Sequence, residues 1–349
     1  MSHPIERRVT VADIAAEAGV SRATVSKVLN GRSDVAPSTR AQIEAMLAAR
    51  GYVPTARTKR PVPAVRRPGL IEMLFHDAST PWAAEMIRGA EEAARAVRVA
   101  IVVSVLDGGP GRGQQWLEDI AGRAPRGVIL ALSELSAADH KRIAKLRVPA
   151  ILVDPVGDGE SDLPSIGAGN WGGGLSATRH LVDLGHRRIG VVTGPMRFLC
   201  SQARLAGYRA ALERAGVPSD DALIEHGDFH YSSGVRLALA LLGRPDPPTA
   251  IFAANDEQAL GVYAAIQQRA LRVPDDLSVV GFDDVPMSQW VTPPLTTVRQ
   301  PIAEMAALAV RTLLAHQDGS DVPEGRVELS TKLVVRGSTA PPARRRSTP

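Results

Sequence analysis

The stretch that most restricts what this chain can become is Thr10 to Asn30, TVADIAAEAGVSRATVSKVLN. Val11, Ile14, Ala15 and Ala18 recur at the spacing of a helix with one buried stripe. Gly19 stands where the chain must turn sharply, and Val20 is placed to plug the angle between two helices. Ser21 is an N-cap, its hydroxyl available to a free backbone N–H of the next helix. In that second helix Val25, Val28 and Leu29 point inward. Arg22, Ala23, Ser26, Lys27 and Asn30 are left on the outer face. This is the make-up of a helix-turn-helix, a unit whose second helix lies in the DNA major groove.

A third helix is expected from about Pro37 to Arg50, with proline in its first turn and Ile43, Met46 and Leu47 at core spacing. Gly51 stops it. Three such helices bury a small shared core, so residues 1–55 form an independent all-α helix-turn-helix head. Charge separates the head from the rest. The net charge is only +4, yet residues 1–68 hold 12 Lys+Arg against 5 Asp+Glu, and residues 69–340 hold 26 against 32. A basic head on an acidic body suits a polyanion partner for the head alone.

From Gly69 onward the pattern becomes α/β. Apolar runs of strand length occupy 69–75, 99–105, 126–132, 149–154, 187–193, 222–226, 249–253 and 277–282. Helical stretches lie between and after them, at 82–97, 171–184, 203–215, 234–242, 259–269 and 302–315. This alternation predicts parallel sheets covered by helices on both faces. Residues 69–340 exceed one comfortable sheet, so the expectation is two parallel-sheet subdomains with a ligand cleft between strand ends.

Several function classes are excluded. No apolar run reaches the length of a membrane-spanning helix, so no membrane partner is expected. The first residues carry charge where a secretion signal needs an apolar core, which points to the cytoplasm. Cys200 stands alone, which rules out an internal disulfide or a multi-cysteine zinc site and suits buried filler. The eight histidines show no ligand spacing, and no P-loop, HExxH, GxSxG or GxGxxG occurs in its required context. No metal, no cofactor and no enzymatic activity are therefore expected.

The residues also carry a family resemblance. VTVADIAAEAGVSRATVSKVLNG followed by VAPSTRAQIEAMLAARGYVP resembles, without a gap, the DNA-binding head of the lactose-repressor/galactose-repressor (LacI/GalR) family. By that resemblance Arg22, Ala23 and Lys27 occupy base-reading positions. Arg22 and Lys27 can donate to guanine O6 and N7, and Ala23 can offer only a methyl contact. Thr10, Ser21, Thr24, Ser26 and Asn30 would hold phosphates. The linker, 56–68, departs from the family's hinge helix. Thr58 and Pro61 stand where an Ala and a wedging Leu are usual, and Pro61 and Pro63 break a helix. Arg57, Lys59 and Arg60 can still supply phosphate or minor-groove charge.

DLPSIGAGNWGGGLSATRHLVDLGHRRIGVVTGP, SQARLAGYRAAL, AIFAANDEQALGVYAAI, SVVGFDDVPMSQWVTPPLTTVRQP and a last strand, TKLVVRGST, resemble the family's effector domain. The resemblance implies a periplasmic-binding-protein-like body at 69–340, crossing between subdomains near 166, 298 and 330. The N-subdomain would be about 69–166 and 299–329, the C-subdomain about 167–298 and 330–338, and a disordered tail would occupy 341–349. Arg204 matches the family's ligand-binding arginine, and Asn255, Asp283 and Gln300 match positions turned toward the cleft. Asp154 ends a strand there as well. Such groups accept and donate together, as a polyhydroxyl ligand needs. Phe229 falls where relatives place an aromatic over the sugar ring, and Trp82 and Trp171 near the cleft mouth.

Other residues suit structural work. Asp256 and Asp284 read as cap or turn residues, Asn255 alone could be a cap, and Trp290 could brace a loop. His186 reads as a turn residue, and Gly172-Gly173-Gly174 as close packing at the cleft rather than phosphate binding.

The implied protein is a transcription regulator that represses a carbohydrate-use operon. A homodimer would read a pseudo-palindromic double-stranded operator and be released by a mono- or oligosaccharide effector. A corepressor-dependent regulator responding to a nucleoside or phosphorylated metabolite is the alternative. A transporter's solute receptor would have no use for residues 1–55. A sugar-cleaving enzyme would need paired carboxylates, for which Asp154 and Asp283 bring no motif.

Overall fold

The computed structural model describes residues 10–29, 35–50, 69–106, 112–131, 143, 148–155, 163–317 and 325–343. The expectations for Asn30, for the linker with Arg57, Lys59 and Arg60, and for residues 344–349 lie outside the described residues. The chain divides into two compact units, residues 1–66 and 67–349.

The first unit holds α1 (Val11–Glu17), α2 (Arg22–Leu29) and α3 (Pro37–Ala49). Ile14, Ala15, Val25, Val28 and Ile43 form its core, with Val20, Leu29 and Leu47 packed against it. The sequence sets both early helix starts. Thr10 and Asp13 close a capping box at α1. Ser21 Oγ accepts the Thr24 N–H at 3.1 Å at the start of α2.

The second unit contains two six-stranded sheets. The first lobe uses β1 (Leu70–Phe75), β2 (Ala100–Val105), β3 (Gly127–Ala131), β4 (Ala150–Val153), β5 (Ser165–Ala168) and β11 (Arg326–Leu329), in the order β11-β5-β4-β3-β1-β2. The second uses β6 (Ile189–Thr193), β7 (Ile224–His226), β8 (Ala250–Ala253), β9 (Ser278–Asp283), β10 (Thr296–Arg299) and β12 (Lys332–Val334), in the order β12-β10-β9-β8-β6-β7. Among the described residues all pairings are parallel except that of the edge strand β12 with β10, which departs from the all-parallel expectation. The helices of this unit are α4 (Pro81–Ala96), α5 (Arg112–Arg123), α6 (Asn170–Asp183), α7 (Leu199–Arg214), α8 (Tyr231–Leu242), α9 (Asp256–Gln268) and α10 (Ile302–Gln317).

Strand alternation divides the core into layers. Ile71, Met73 and Phe75 of β1 pack with Met86 of α4 and Met305 of α10, while Leu74 faces Trp116 and Ile120 of α5. In the second lobe Val191, Phe252, Val280 and Phe282 face α6 and α7, and Val192, Ile251 and Val279 face α8 and α9. Full burial of a side chain such as Phe252 or Phe282 contributes roughly 1.5–3 kcal/mol. Glu72 shares the α5 side of β1, fully buried, and accepts from Ser104 Oγ at 2.7 Å, Trp116 Nε1 at 2.9 Å and the Arg123 guanidinium.

Strands β5, β10 and β11 and helix α5 escape the sequence pattern. SIGA, TTVR and RVEL are short and carry Gly, Ser, Thr or charge, so sheet pairing rather than composition makes them strands. They also mark the crossings. β5 runs to Ala168 before α6 begins at Asn170 in the second lobe. β10 runs to Arg299, and α10 then packs in the first lobe. The last crossing lies between Leu329 and Lys332.

The ordered chain also passes the expected tail boundary at 341. His186, which is buried, bonds Thr249 Oγ1 through Nδ1 and the Ala340 carbonyl through Nε2, and chain to Ala343 is described. Two glycines of the run serve close packing: a Cβ on Gly174 would lie 2.2 Å from the Arg204 carbonyl oxygen of α7, and one on Gly173 would lie 2.5 Å from the Phe282 ring of β9. Among the described residues no helix is long and apolar enough to cross a membrane.

Candidate functional site

The cleft of the second unit lies where strands of both sheets end, which is where α/β folds leave backbone and side chains open to a ligand. The first lobe contributes Phe75, His76 and Asp77 after β1, Trp82 of α4, and Asp154 after β4. The second contributes Phe198, Cys200 and Arg204 at α7, Asp228 to His230 after β7, Asn255 before α9, Asp283 on β9 and Gln300 after β10. The cavity is about 170 Å³. Trp82, Asp154, Arg204, Phe229, Asn255, Asp283 and Gln300 thus share one cavity.

Arg204 is its fixed point. It is buried, donates through Nε to Asn170 Oδ1 at 2.8 Å and through Nη1 to the Ala254 carbonyl, and lies 3.7 Å over the Phe282 ring. A desolvated guanidinium over an aromatic face is held firmly. Asp283 Oδ1 lies 3.8 Å from Arg204 Nη1 and accepts from Gln300 Nε2. Burial pushes the Asp283 carboxyl up to about 7 against the opposing pull of Arg204 and Gln300. Burial raises Asp154 as well, again against Arg204. Both residues adopt positive φ, 49° at Asp154 and 111° at Asp283, conformations that L-residues rarely take.

Two acceptors in this floor have no partner among the described residues: Asp154 Oδ1 and Gln300 Oε1, both buried atoms. A buried acceptor without a donor costs about 1–3 kcal/mol, which a ligand's hydroxyl or amine proton would recover. The floor therefore asks for donors.

Asn255 is both cap and wall. Its Oδ1 accepts the Gln258 N–H at 2.9 Å, and its Nδ2 donates to the Phe229 carbonyl at 2.8 Å. Phe229, at φ 73°, stacks on Phe198 with centroids 6.1 Å apart, and Trp82 meets Phe75 edge-on at 6.4 Å. Asp256 and Asp284 work elsewhere. Asp256 accepts from Val285 N and Thr297 Oγ1, and Asp284 from Arg299, Arg336 and Ser288.

Three expectations need correcting. Trp171 does not line the cavity: it is exposed on α6, with the Arg214 guanidinium 5.6 Å from its ring, because successive side chains on a helix diverge by about 100° and it is its neighbour Asn170 that meets Arg204. Cys200 stands in the cavity wall rather than in a core, and burial pushes its thiol up to about 11, which leaves it unreactive. Trp290 is 76 % exposed and braces nothing by burial.

Sequence reasoning missed Phe75, His76, Asp77, Phe198, Asp228 and His230. Most follow β1 or β7, so the rule that ligands gather at strand ends could have found them. Asp77 accepts from the Ser79 hydroxyl and N–H, each at 2.7 Å, which holds its carboxyl below the usual range. His230 Nδ1 lies 3.6 Å from Glu257. Among the described residues no cluster of His, Cys, Asp and Glu is placed to hold a metal ion.

In the first unit Arg22, Ala23, Ser26 and Lys27 are exposed along one side of α2, opposite buried Val25 and Val28. Thr24 is half-buried, and its hydroxyl lies 2.9 Å from Ser21 Oγ. Thr10 gives both its hydroxyl and its backbone N–H to Asp13, at 2.7 and 2.9 Å, so its donors serve the cap.

Residues 10–55 match the family of bacterial regulatory proteins, lacI family, and residues 178–339 match a periplasmic binding protein-like domain. The chain is 34% identical over 332 residues to the ribose operon repressor of Escherichia coli K12, covering 94% of this chain and 99% of that one. It is 36% identical over 339 residues to the regulator MalR of Streptomyces coelicolor, covering 95% and 96%. Among solved structures it resembles a complex of the transcriptional regulator CelR with cellobiose, with a TM-score of 0.72, 32% identity and coverage of 95% and 100%. It also resembles a lac repressor dimer bound to operator and the anti-inducer ONPF, with a TM-score of 0.70, 29% identity and coverage of 96% and 100%.

Proposed function

The chain belongs to the bacterial lacI family of regulatory proteins and is a DNA-binding transcription regulator, and from that premise we propose that it represses a carbohydrate-use operon and leaves its operator when a sugar fills the cleft. The carrying observation is the join of two parts in one chain: a helix exposing Arg22 and Lys27, and a two-lobed cleft whose floor holds two unpartnered acceptors.

On the DNA side, Arg22 and Lys27 donate to guanine edges and Ala23 meets a methyl group, with Ser21, Thr24 and Ser26 beside the backbone. A homodimer presents two such helices to a pseudo-palindromic site. Affinities of this class lie at roughly 10⁻⁸–10⁻¹¹ M and fall steeply with salt. On the ligand side, hydroxyl protons go to Asp154, Asp283 and Gln300, Arg204 donates to ring or hydroxyl oxygens, and Phe229 takes an apolar sugar face. Filling the cleft favours one arrangement of the lobes. Sugar and operator then oppose each other by a single reciprocal coupling energy.

The test is a gel-shift titration on a duplex selected from random sequence by the full chain, with and without free sugars. Release of the duplex by a sugar supports the reading. Tighter binding would indicate a corepressor. No effect from any sugar that occupies the cleft would refute the coupling.

A further inference from the structure

A second cavity opens from the first. It is about 350 Å³, walled by Pro195, Met196, Arg197 and Gly227, and it shares His76, Phe198, Asp228 and His230 with the inner one. An aromatic platform runs through that doorway. Arg197 lies in the outer chamber with its guanidinium 4.7 Å from the Phe198 ring centroid, Phe198 lines both chambers, and its ring stacks on Phe229, which lines only the inner one. The unpartnered acceptors Asp154 Oδ1 and Gln300 Oε1, the latter on a side chain 4 % exposed, belong to inner residues. The inner chamber therefore makes the polar demand, and the outer one adds length and the Arg197 guanidinium seated on the Phe198 ring. The inner chamber is about 170 Å³ and the outer about 350 Å³, so the outer one adds roughly twice the inner room.

The charges at the doorway bear on what passes it. Asp228 stands there beside the two histidines, with Asp77 in the inner chamber, and His230 is already 3.6 Å from Glu257. A phosphoryl group passing the doorway would meet these carboxylates before it reached Arg197 in the outer chamber, whereas an uncharged hydroxyl can donate to them.

Building on the reading of the cleft as a polyhydroxyl site, we propose that the effector is an uncharged glycoside of two ring units, one over the acceptors of the inner chamber and one in the outer chamber against Arg197 and Phe198. Arg197 is then a specificity residue for the second ring and does not touch the first.

Isothermal titration calorimetry on the full chain tests this with glucose, galactose, ribose, cellobiose, maltose, lactose and glucose 6-phosphate. At least one disaccharide binds about tenfold or more tighter than its own component monosaccharides. Arg197→Ala lowers that affinity about five- to tenfold and leaves monosaccharide affinity within about twofold. A monosaccharide that binds as tightly as every disaccharide, a sugar phosphate that binds tightest, or an Arg197→Ala loss shared equally by mono- and disaccharides overturns the two-ring proposal and leaves the sugar-cleft reading standing. A folded chain that binds none of the panel overturns both.

Discussion

Asp283→Asn isolates what the cleft gives up in stability. In the folded protein burial holds this carboxyl near 7, against 3.8 for a free aspartate. On unfolding, the carboxyl loses its proton near 4, and in the native cleft it keeps it until about 7. Between those values the unfolded chain holds fewer protons than the folded one, so stability falls as pH rises, by about 1.4 kcal/mol per unit. Over the whole window that amounts to about 4 kcal/mol, and the loss levels off above 7. The residue is only 5 % exposed, so little solvent screening reduces the figure. Asparagine keeps an oxygen for Gln300 Nε2 and cannot ionise, so the variant lacks the slope. Urea unfolding of both proteins at pH 5, 6, 7 and 8 measures it. The variant's stability relative to wild type should rise by about 2 kcal/mol from pH 5 to 7, with only a few tenths more by pH 8. A fixed offset of lost contacts, such as the one to Arg204, cancels in that difference. A gap between the two proteins that is independent of pH would refute the assignment.

For the same reason sugar affinity of the wild type should rise between pH 6 and 8, since donor hydroxyls favour the ionised carboxyl; calorimetry in buffers of different ionisation enthalpy would count the released proton. Arg22→Ala should cost about 1–3 kcal/mol of base discrimination and relax the preferred site, and an unchanged selected sequence would contradict the groove assignment. Gly174→Ala should destabilise the second unit by about 1–3 kcal/mol or more, because its Cβ would press on the Arg204 carbonyl oxygen, and it should weaken sugar binding through Arg204. Gly172→Ala, with open space at its Cβ, should leave melting temperature unchanged or raised, and equal effects at the two glycines would dismiss close helix contact as the reason.

Local chemistry alone determined the head. Caps at Ser21, core spacing at Ile14, Val25 and Ile43, and a polar outer face on α2 are properties of adjacent residues, so they could be read without a fold. The strongly apolar strands of the body and the residue types of the cleft were legible for the same reason. Tertiary structure decided what depends on partners distant in the chain. SIGA, TTVR and RVEL became strands because neighbouring strands offered hydrogen bonds, and they carried the crossings with them. Trp171 turned away from the cavity that Trp82 lines. Only folding brought Asp154, Arg204, Asp283 and Gln300 onto one floor, where burial raised two carboxyls and left Asp154 Oδ1 and Gln300 Oε1 without a donor. Solvation and hydrogen bonding belong to a place in space, and a linear pattern holds the residue types without the distances between them.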